Sequence, residues 1–157
     1  MKIKLLWIGK TADKYLEEGI SIYAGRLKHY CRFETQTLPD IKNAKNLSKE
    51  ELKEKEGKLI LETLGQGDIL VLLDENGKQY TSPQLADFVQ KLLNRGAQQI
   101  VFVIGGAYGF SEEVYNRADA KVSLSPLTFS HQMVRLIFAE QLYRAFTILK
   151  GEPYHHV

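Results

Sequence analysis

The sequence contains one cysteine, Cys31, among its 157 residues, so it can form no internal disulfide and has no CxxC metal site. A chain with this cysteine content fits the reducing environment of the cytoplasm. No apolar run approaches the roughly 20 residues that span a bilayer, and the apolar N-terminal segment ends at Gly9, too early for a signal peptide. These absences predict a cytoplasmic protein without a membrane segment.

The chain also lacks a large excess of charge of either sign. It has 21 Lys or Arg against 19 Asp or Glu, a net charge of +2. A protein that binds nucleic acid by charge alone usually has a larger basic excess. The excess here is local, because residues 1–32 hold seven Lys or Arg and three acids. An RNA partner would therefore require a local basic patch, recognition of shape, or a site shared between subunits.

Hydrophobic periodicity predicts strands that alternate with helices. The predicted strands are residues 3–8, 31–38, 69–73, 100–104 and 120–124, with a turn at residues 74–77. The predicted helices are residues 12–30, a helix from Ser48 to near Gly65, one from Ser82 to Gly96, a short one after Ser111, and residues 131–150. This alternation predicts a single α/β domain over residues 1–157, with a mostly parallel sheet flanked by helices.

The last predicted helix is apolar around most of its circumference. Its apolar residues are Met133, Val134, Leu136, Ile137, Phe138, Leu142, Phe146, Ile148 and Leu149. A helix of this kind is buried on more than one side. We therefore expect a homodimer that buries Phe138 and Phe146 between subunits. The alternative is a central core helix within one chain.

A glycine-rich loop, residues 105–109, directly follows the apolar strand 100–104. α/β proteins bind ligands beyond the carboxyl ends of their strands. The glycine spacing is not GxGxxG, so the signal for a dinucleotide-binding loop is weak. No Lys-Ser or Lys-Thr follows the glycines, so the loop is not a P-loop. A second loop of similar kind lies at residues 124–129. The two loops predict a ligand site, and the alternative is a pair of tight turns.

Short motifs follow one another in a specific order along the chain. They are residues 71–74 (VLLD), 103–109 (VIGGAYG), 124–129 (LSPLTF), 131–135 (HQMVR), 140–145 (EQLYRA) and 154–155 (YH). In this order they resemble the RlmH family of bacterial ribosomal RNA methyltransferases, members of the SPOUT superfamily. The similarity covers the whole chain and is most specific from Val101 to His155. It implies a parallel sheet with a deep C-terminal trefoil knot, a rare exception among folds.

The resemblance also implies that the loops bind S-adenosylmethionine (AdoMet). By position, the cofactor-binding residues are Leu73, Gly105, Leu124, Ser125, Pro126, Leu127, Thr128 and Phe129. Apolar side chains would flank the adenine, and backbone groups at the strand ends would bind its edge. Gly105 and Gly106 are expected to leave room for the ribose and methionine, so that a valine at position 105 would block the ligand.

The reaction implied by the resemblance is methylation of a pseudouridine at N-3, in helix 69 of 23S ribosomal RNA. A homodimer would act on the assembled 70S ribosome. Because the methyl group is transferred from a sulfonium, no metal is required. Two other functions remain open: a non-catalytic RNA-binding factor of ribosome assembly with the same fold, and a dinucleotide-binding oxidoreductase.

Four side chains are candidates for the reaction itself. Tyr154 and His155 in the tail suit base stacking and proton transfer, unless the tail is simply disordered. Arg135 and Arg144 would contact RNA phosphates. The alternative for Arg144 is a structural pair with Glu140, one helical turn earlier.

Two positions, 130 and 156, depart from the family pattern. Ser130 stands where many relatives have Pro, and it can cap the helix that follows. His156 stands where relatives often have Lys or Arg, which makes the charge of the tail depend on pH. His131, beside the second loop, is expected to be structural.

Overall fold

The computed structural model describes residues 1–156 and shows a five-stranded, fully parallel sheet in the order β2-β1-β4-β3-β5. The strands are β1 (Lys2–Ile8), β2 (Arg32–Leu38), β3 (Ile69–Gln79), β4 (Gln99–Ile104) and β5 (Ala120–Ser123). The helices are α1 (Lys14–Leu27), α2 (Lys49–Glu62), α3 (Ser82–Asn94), α4 (Glu112–Arg117) and α5 (Met133–Leu149), with a 3-10 turn at Ala44–Asn46. The predicted α/β fold is confirmed, and the knot stays a prediction.

The helices cover both faces of the sheet because the central strands are apolar on both sides. Along β1, Leu5 and Trp7 face one hydrophobic core, which also contains residues of α1, α3 and α5. Leu6 and Ile8 face a second core, to which α2 and α4 contribute. Within residues 1–156, no helix has the length and apolar character needed to cross a membrane.

Helix α5 is the central helix of the first core. Phe138 is 0% exposed and lies 4.9 Å from Phe102, ring centroid to centroid. Phe146 is 4% exposed and stacks on Tyr30 at 5.5 Å. The prediction that these phenylalanines form a dimer interface is therefore wrong. The apolar circumference of α5 arises because the helix packs against α1, α3 and the sheet of its own chain.

The predicted turn at residues 74–77 lies within β3. This strand pairs with β5 in two segments, because both Leu73 and Lys78 are in register with Val122. Between the segments, the backbone of β5 approaches Gly77 so closely that an added Cβ would meet the Val122 nitrogen at 2.6 Å. The glycine therefore permits a close backbone contact rather than ending the strand.

Serine side chains accept backbone hydrogen bonds at the starts of α2 and α5. Ser48 and Glu51 form a reciprocal capping box at α2. At α5, the Ser130 hydroxyl accepts a hydrogen bond from the Met133 backbone N–H at 3.0 Å. The N-cap position of α5 is however Gln132, whose side chain makes no capping bond, so Ser130 supports the turn before the helix rather than capping it as expected.

Candidate cofactor site

A cavity of about 500 Å³ opens at the carboxyl ends of β3, β4 and β5. Its lining comes from residues 73–76, 104–110, 122–125 and 127–131, with Tyr115 and Val134. A volume of this size is typical of small-molecule and cofactor sites. The two loops that the sequence singled out thus meet at one cavity, because parallel strands end on the same edge of the sheet.

Seven of the eight predicted cofactor residues line this cavity. They are Leu73, Gly105, Leu124, Ser125, Leu127, Thr128 and Phe129. Pro126 is the exception, because it is exposed to solvent and is not part of the lining. Contact of these residues with AdoMet stays a prediction.

Serine side chains hold the loop after β5 in shape. The Ser123 hydroxyl donates to the Ser125 carbonyl at 3.2 Å, and the Ser125 hydroxyl accepts from the Leu127 N–H at 3.0 Å. Such local bonds replace the regular backbone partners that a loop lacks. They hold Leu127 at the cavity mouth, where its side chain is 73% exposed.

The glycines of the other loop do not act as the sequence suggested. A Cβ on Gly105 would meet the Phe110 ring at 2.9 Å, and one on Gly106 would meet the Glu56 carboxylate at 2.8 Å. The missing side chains therefore make room for protein groups packed against the loop, rather than for the ribose and methionine. A valine at position 105 would first displace Phe110, which itself lines the cavity.

Asp74 and Tyr115 also line the cavity, although no sequence pattern predicted a role for either. The Tyr115 hydroxyl donates a hydrogen bond to the Asp74 carboxylate. Burial, and next this hydrogen bond, raise the pKa of Tyr115 to about 12, so the phenol remains a donor at neutral pH. The position of Asp74 directly after the apolar residues of β3 was the available signal.

The charge of the lining is negative. Asp74 and Glu75 belong to it, and within residues 1–156 no Lys or Arg does. His131 is an exposed member of the lining. Such a cavity favours a ligand with positive charge. No group of three His, Cys, Asp or Glu side chains in the described part of the chain is placed to hold a metal ion.

Tyr154, His155 and Arg144 form one cluster on the C-terminal half of α5. The Arg144 guanidinium pairs with Glu140 at 3.2 Å and lies 3.1 Å from His155 Nδ1. Its Cζ also lies 4.8 Å from the centre of the Tyr154 ring. The predicted Glu140–Arg144 pair is confirmed. The tail to His155 is folded against α5, and residue 157 lies outside the described residues.

Hydrogen-bond chemistry fixes the tautomer of His155 in this cluster. Arginine has only donors, so Nδ1 of His155 must accept from Arg144, and a neutral ring then has its hydrogen on Nε2. Burial, and next a hydrogen bond with Tyr23, raise the pKa of Tyr154 to about 12. The Nε2–H of His155 is therefore left as a donor, whereas the Tyr154 hydroxyl donates to the Glu140 carboxylate at 3.5 Å.

None of the three tail-cluster residues lines the cavity of its own chain. Val134 lines the cavity, whereas Arg144 lies ten residues further along α5. At 1.5 Å per residue this is about 15 Å of helix. The structure thus brings the predicted cofactor residues together, and separately the tail residues, but it does not join the two groups within one chain.

Arg135 occupies a third place, in the protein interior. It is 1% exposed and donates hydrogen bonds of 3.0–3.2 Å to the carbonyls of Ile8, Gly9 and His131 and to the Thr11 hydroxyl. Burial lowers its pKa to about 10, so it remains charged at neutral pH. This position contradicts the expected phosphate contact, because RNA cannot reach a buried guanidinium, four of whose five N–H donors already bond to the protein.

Comparison with known proteins agrees with this architecture. A family model described as "Predicted SPOUT methyltransferase" matches residues 1–155. A protein of Christiangramia forsetii is 60% identical over 156 residues, and one of Parabacteroides distasonis is 58% identical, with 99% of each chain covered. A protein of Cytophaga hutchinsonii is 53% identical over the same length. All three are named ribosomal RNA large subunit methyltransferase H. The chain belongs to the SPOUT methyltransferase family.

Proposed function

We propose that this protein transfers a methyl group from AdoMet to N-3 of a pseudouridine in helix 69 of 23S ribosomal RNA. The observation that carries the cofactor assignment is the cavity at the ends of β3, β4 and β5, which seven of the eight expected residues line. The names of relatives that are 50–60% identical support ribosomal RNA as the substrate. The proposal includes a single domain with a C-terminal knot, acting in the cytoplasm on the assembled 70S ribosome.

The residues of the cavity fit AdoMet. Leu73, Ile104 and Leu124 provide an apolar wall of the kind that flanks an adenine ring. AdoMet supplies an electrophilic methyl group on a positively charged sulfur. The carboxylates of Asp74 and Glu75 suit a ligand with that charge.

The tail cluster would act on the RNA base. Methylation at N-3 requires loss of the imide proton, which leaves negative charge on the base and its carbonyl oxygens. The Nε2–H of His155, whose ring is held by Arg144, is suited to donate a hydrogen bond to such an oxygen. His155 would thereby favour ionisation of the substrate, and the imide proton would pass to solvent water rather than to His155, unlike the role in proton transfer expected from the sequence. The methyl group would then move from the sulfonium to N-3, and AdoMet would leave as S-adenosylhomocysteine.

We infer that the active form is a homodimer with shared sites. Because Arg144, Tyr154 and His155 do not line the cavity, and Arg144 lies ten residues beyond Val134 on α5, one chain does not combine the two groups. A second copy whose α5 runs in the opposite direction would place its Tyr154 and His155 beside the cavity of the first. A two-fold axis would generate two equivalent sites of this kind.

Methyl transfer from tritiated AdoMet to unmethylated bacterial ribosomes tests the function. We expect transfer to whole 70S ribosomes and little transfer to free subunits or naked RNA. Calorimetry with AdoMet and with NAD separates this function from that of an oxidoreductase. Binding to ribosomes without any methyl transfer would identify a non-catalytic assembly factor and would contradict the proposal.

A further inference from the structure

An aromatic side chain is held in solvent at the mouth of the cofactor cavity. Within residues 1–156, five large apolar side chains are exposed, and two of them, Tyr108 and Leu127, line this cavity. Tyr108 is 50% exposed. An exposed tyrosine beside a cavity offers a flat surface on which another ring can stack.

The loop geometry accounts for the exposure of Tyr108. Gly106 and Gly109 form an antiparallel bridge, in which the Gly109 N–H donates to the Gly106 carbonyl at 3.2 Å. Gly109 has a φ of +86°, a conformation that favours glycine. Ala107 and Tyr108 form the tip of this tight turn, and both are exposed.

A lysine accompanies the ring. Lys49, the first residue of α2, has its Nζ 5.0 Å from the centre of the Tyr108 ring. In the described part of the chain, no carboxylate lies within 4 Å of this Nζ, whereas Lys53 on the same helix is paired with Glu50 at 3.0 Å. Lys42 and Lys45, in the segment before α2, are also exposed. The charge of Lys49 is therefore available to an anionic ligand.

We propose that Tyr108 and Lys49 form a docking surface for single-stranded RNA at the cavity mouth. A base would stack on the Tyr108 ring, and Lys49 would contact an adjoining phosphate. An aromatic face with a neighbouring cation is the usual combination for binding unpaired nucleotides. An enzyme that modifies a base must take it out of its stack, and stacking at the mouth would offset part of that cost.

This docking surface rests on the proposed function, and it goes further by assigning the residues that receive the substrate. Because Tyr108 also lines the cavity, a contact with AdoMet itself is the competing assignment. If the ring docks RNA, its removal lowers the affinity for ribosomes. If it contacts the cofactor, its removal lowers the affinity for AdoMet. A structural role of the ring would instead change the free energy of unfolding or the dimer mass.

The test compares Y108A with Y108F, and K49Q with K55Q, since Lys55 is another exposed lysine of α2. Three quantities are measured: the AdoMet dissociation constant by calorimetry, the KM for unmethylated ribosomes, and cosedimentation with ribosomes. We expect Y108A to raise the KM about 10-fold, the effect of one lost stacked base, while AdoMet affinity stays within about two-fold. Y108F, which retains the ring, should match the wild type.

The K49Q variant should weaken ribosome binding and reduce the slope of log K against log salt concentration by about one, whereas K55Q should change neither. Unchanged KM and cosedimentation in Y108A would overturn the docking surface. Equal losses of AdoMet and ribosome affinity, or loss of the dimer by light scattering, would also overturn it. Cosedimentation requires no methyl transfer, so an inactive wild-type protein would contradict the proposed function while leaving this comparison decisive.

Discussion

The Tyr115 hydroxyl donates a hydrogen bond to the Asp74 carboxylate, and both residues line the cofactor cavity. The Asn76 backbone N–H donates to the other carboxylate oxygen at 2.9 Å. The carboxylate is therefore fixed in orientation, and each oxygen still has a free lone pair. Since the described lining contains no Lys or Arg, the charge of Asp74 is available to a cationic ligand.

From this arrangement we expect D74N to weaken the binding of AdoMet more than the binding of S-adenosylhomocysteine, which lacks the sulfonium charge. The expected loss is about 10-fold for AdoMet, or 1.4 kcal/mol, and less than two-fold for the product. Calorimetry with both ligands measures the ratio. Y115F keeps the carboxylate and should preserve the ratio of affinities. An equal loss for both ligands in D74N would show that Asp74 only supports the local structure.

The second prediction concerns Arg135, which joins the start of α5 to the end of β1. R135M would leave the carbonyls of Ile8 and Gly9 buried without their donor. Each buried group of this kind costs about 1–3 kcal/mol, so we expect the two together to lower the free energy of unfolding by about 2–6 kcal/mol. Urea denaturation measures it.

The matched control for this variant is R144M, because Arg144 is partly exposed and pairs mainly with Glu140. We expect its loss of stability to stay near 1 kcal/mol. If R135M were as stable as the wild type but bound ribosomes less well, Arg135 would contact RNA, contrary to its buried position.

The sequence predicted the parts of the site that depend on local signals. Apolar strands followed by glycine-rich or serine-rich loops are visible in any window of ten residues, and parallel pairing then brings the loops to one edge. The roles of individual side chains depend on what packs against them. Gly105 packs against the Phe110 ring, and Arg135 bonds to β1, which is more than 120 residues away in the sequence. Neither contact follows from a local sequence pattern.

The same limit explains the error on α5. An apolar circumference shows that a helix is surrounded but not what surrounds it. Here Phe102 and Tyr30 of the same chain contact Phe138 and Phe146. The second segment of β3 escaped prediction for a related reason, because only its pairing with β5, Lys78 with Val122 and Gln79 with Ser123, makes it a strand.

The third prediction concerns Glu56, which packs against Gly106 behind the cavity. Burial, and next the nearby charge of Asp40, raise the pKa of this carboxyl. The folded state therefore binds this proton more tightly than the unfolded state, and stability falls as pH rises through the carboxyl range. We expect E56Q to stabilise the protein at pH 7 by about 1 kcal/mol, since it removes a partly buried charge.

Thermal melting from pH 4 to 8 checks this expectation. The advantage of E56Q should shrink toward pH 4, where the wild-type carboxyl also becomes neutral. E54Q, at an exposed position of the same helix, is the control and should change little. A destabilised E56Q at pH 7 would indicate that the carboxylate has a favourable partner in the folded protein.

The fourth prediction tests whether the sites are shared between subunits. L124R places a positive charge in the cavity wall and should prevent AdoMet binding. Truncation after Pro153 removes the tail and should lower activity about 100-fold, with AdoMet affinity nearly unchanged. Because Tyr154 packs against Tyr143 at 4.7 Å, the truncation should also cost about 1 kcal/mol of stability.

Mixing the two inactive variants then distinguishes the arrangements. Random exchange of subunits gives heterodimers that combine one intact cavity with one intact tail, so about a quarter of the wild-type activity should return. No recovery after exchange, verified by light scattering, would mean that each chain completes its own site.

The last prediction concerns the role of His155. Its Nδ1 accepts from Arg144, so the group that it presents to a substrate is Nε2–H. A glutamine at this position keeps an N–H donor near the place of Nε2 but is not a base. We therefore expect H155A to lower methyl transfer about 100-fold, the effect of a lost hydrogen bond to developing charge, and H155Q to lower it less than about 10-fold. Single-turnover rates on ribosomes, with AdoMet saturating, measure the difference.

If H155Q were as inactive as H155A, His155 would accept the proton of the base. Arg144 would then have to release Nδ1 when RNA binds, and R144M would leave much of the rate intact.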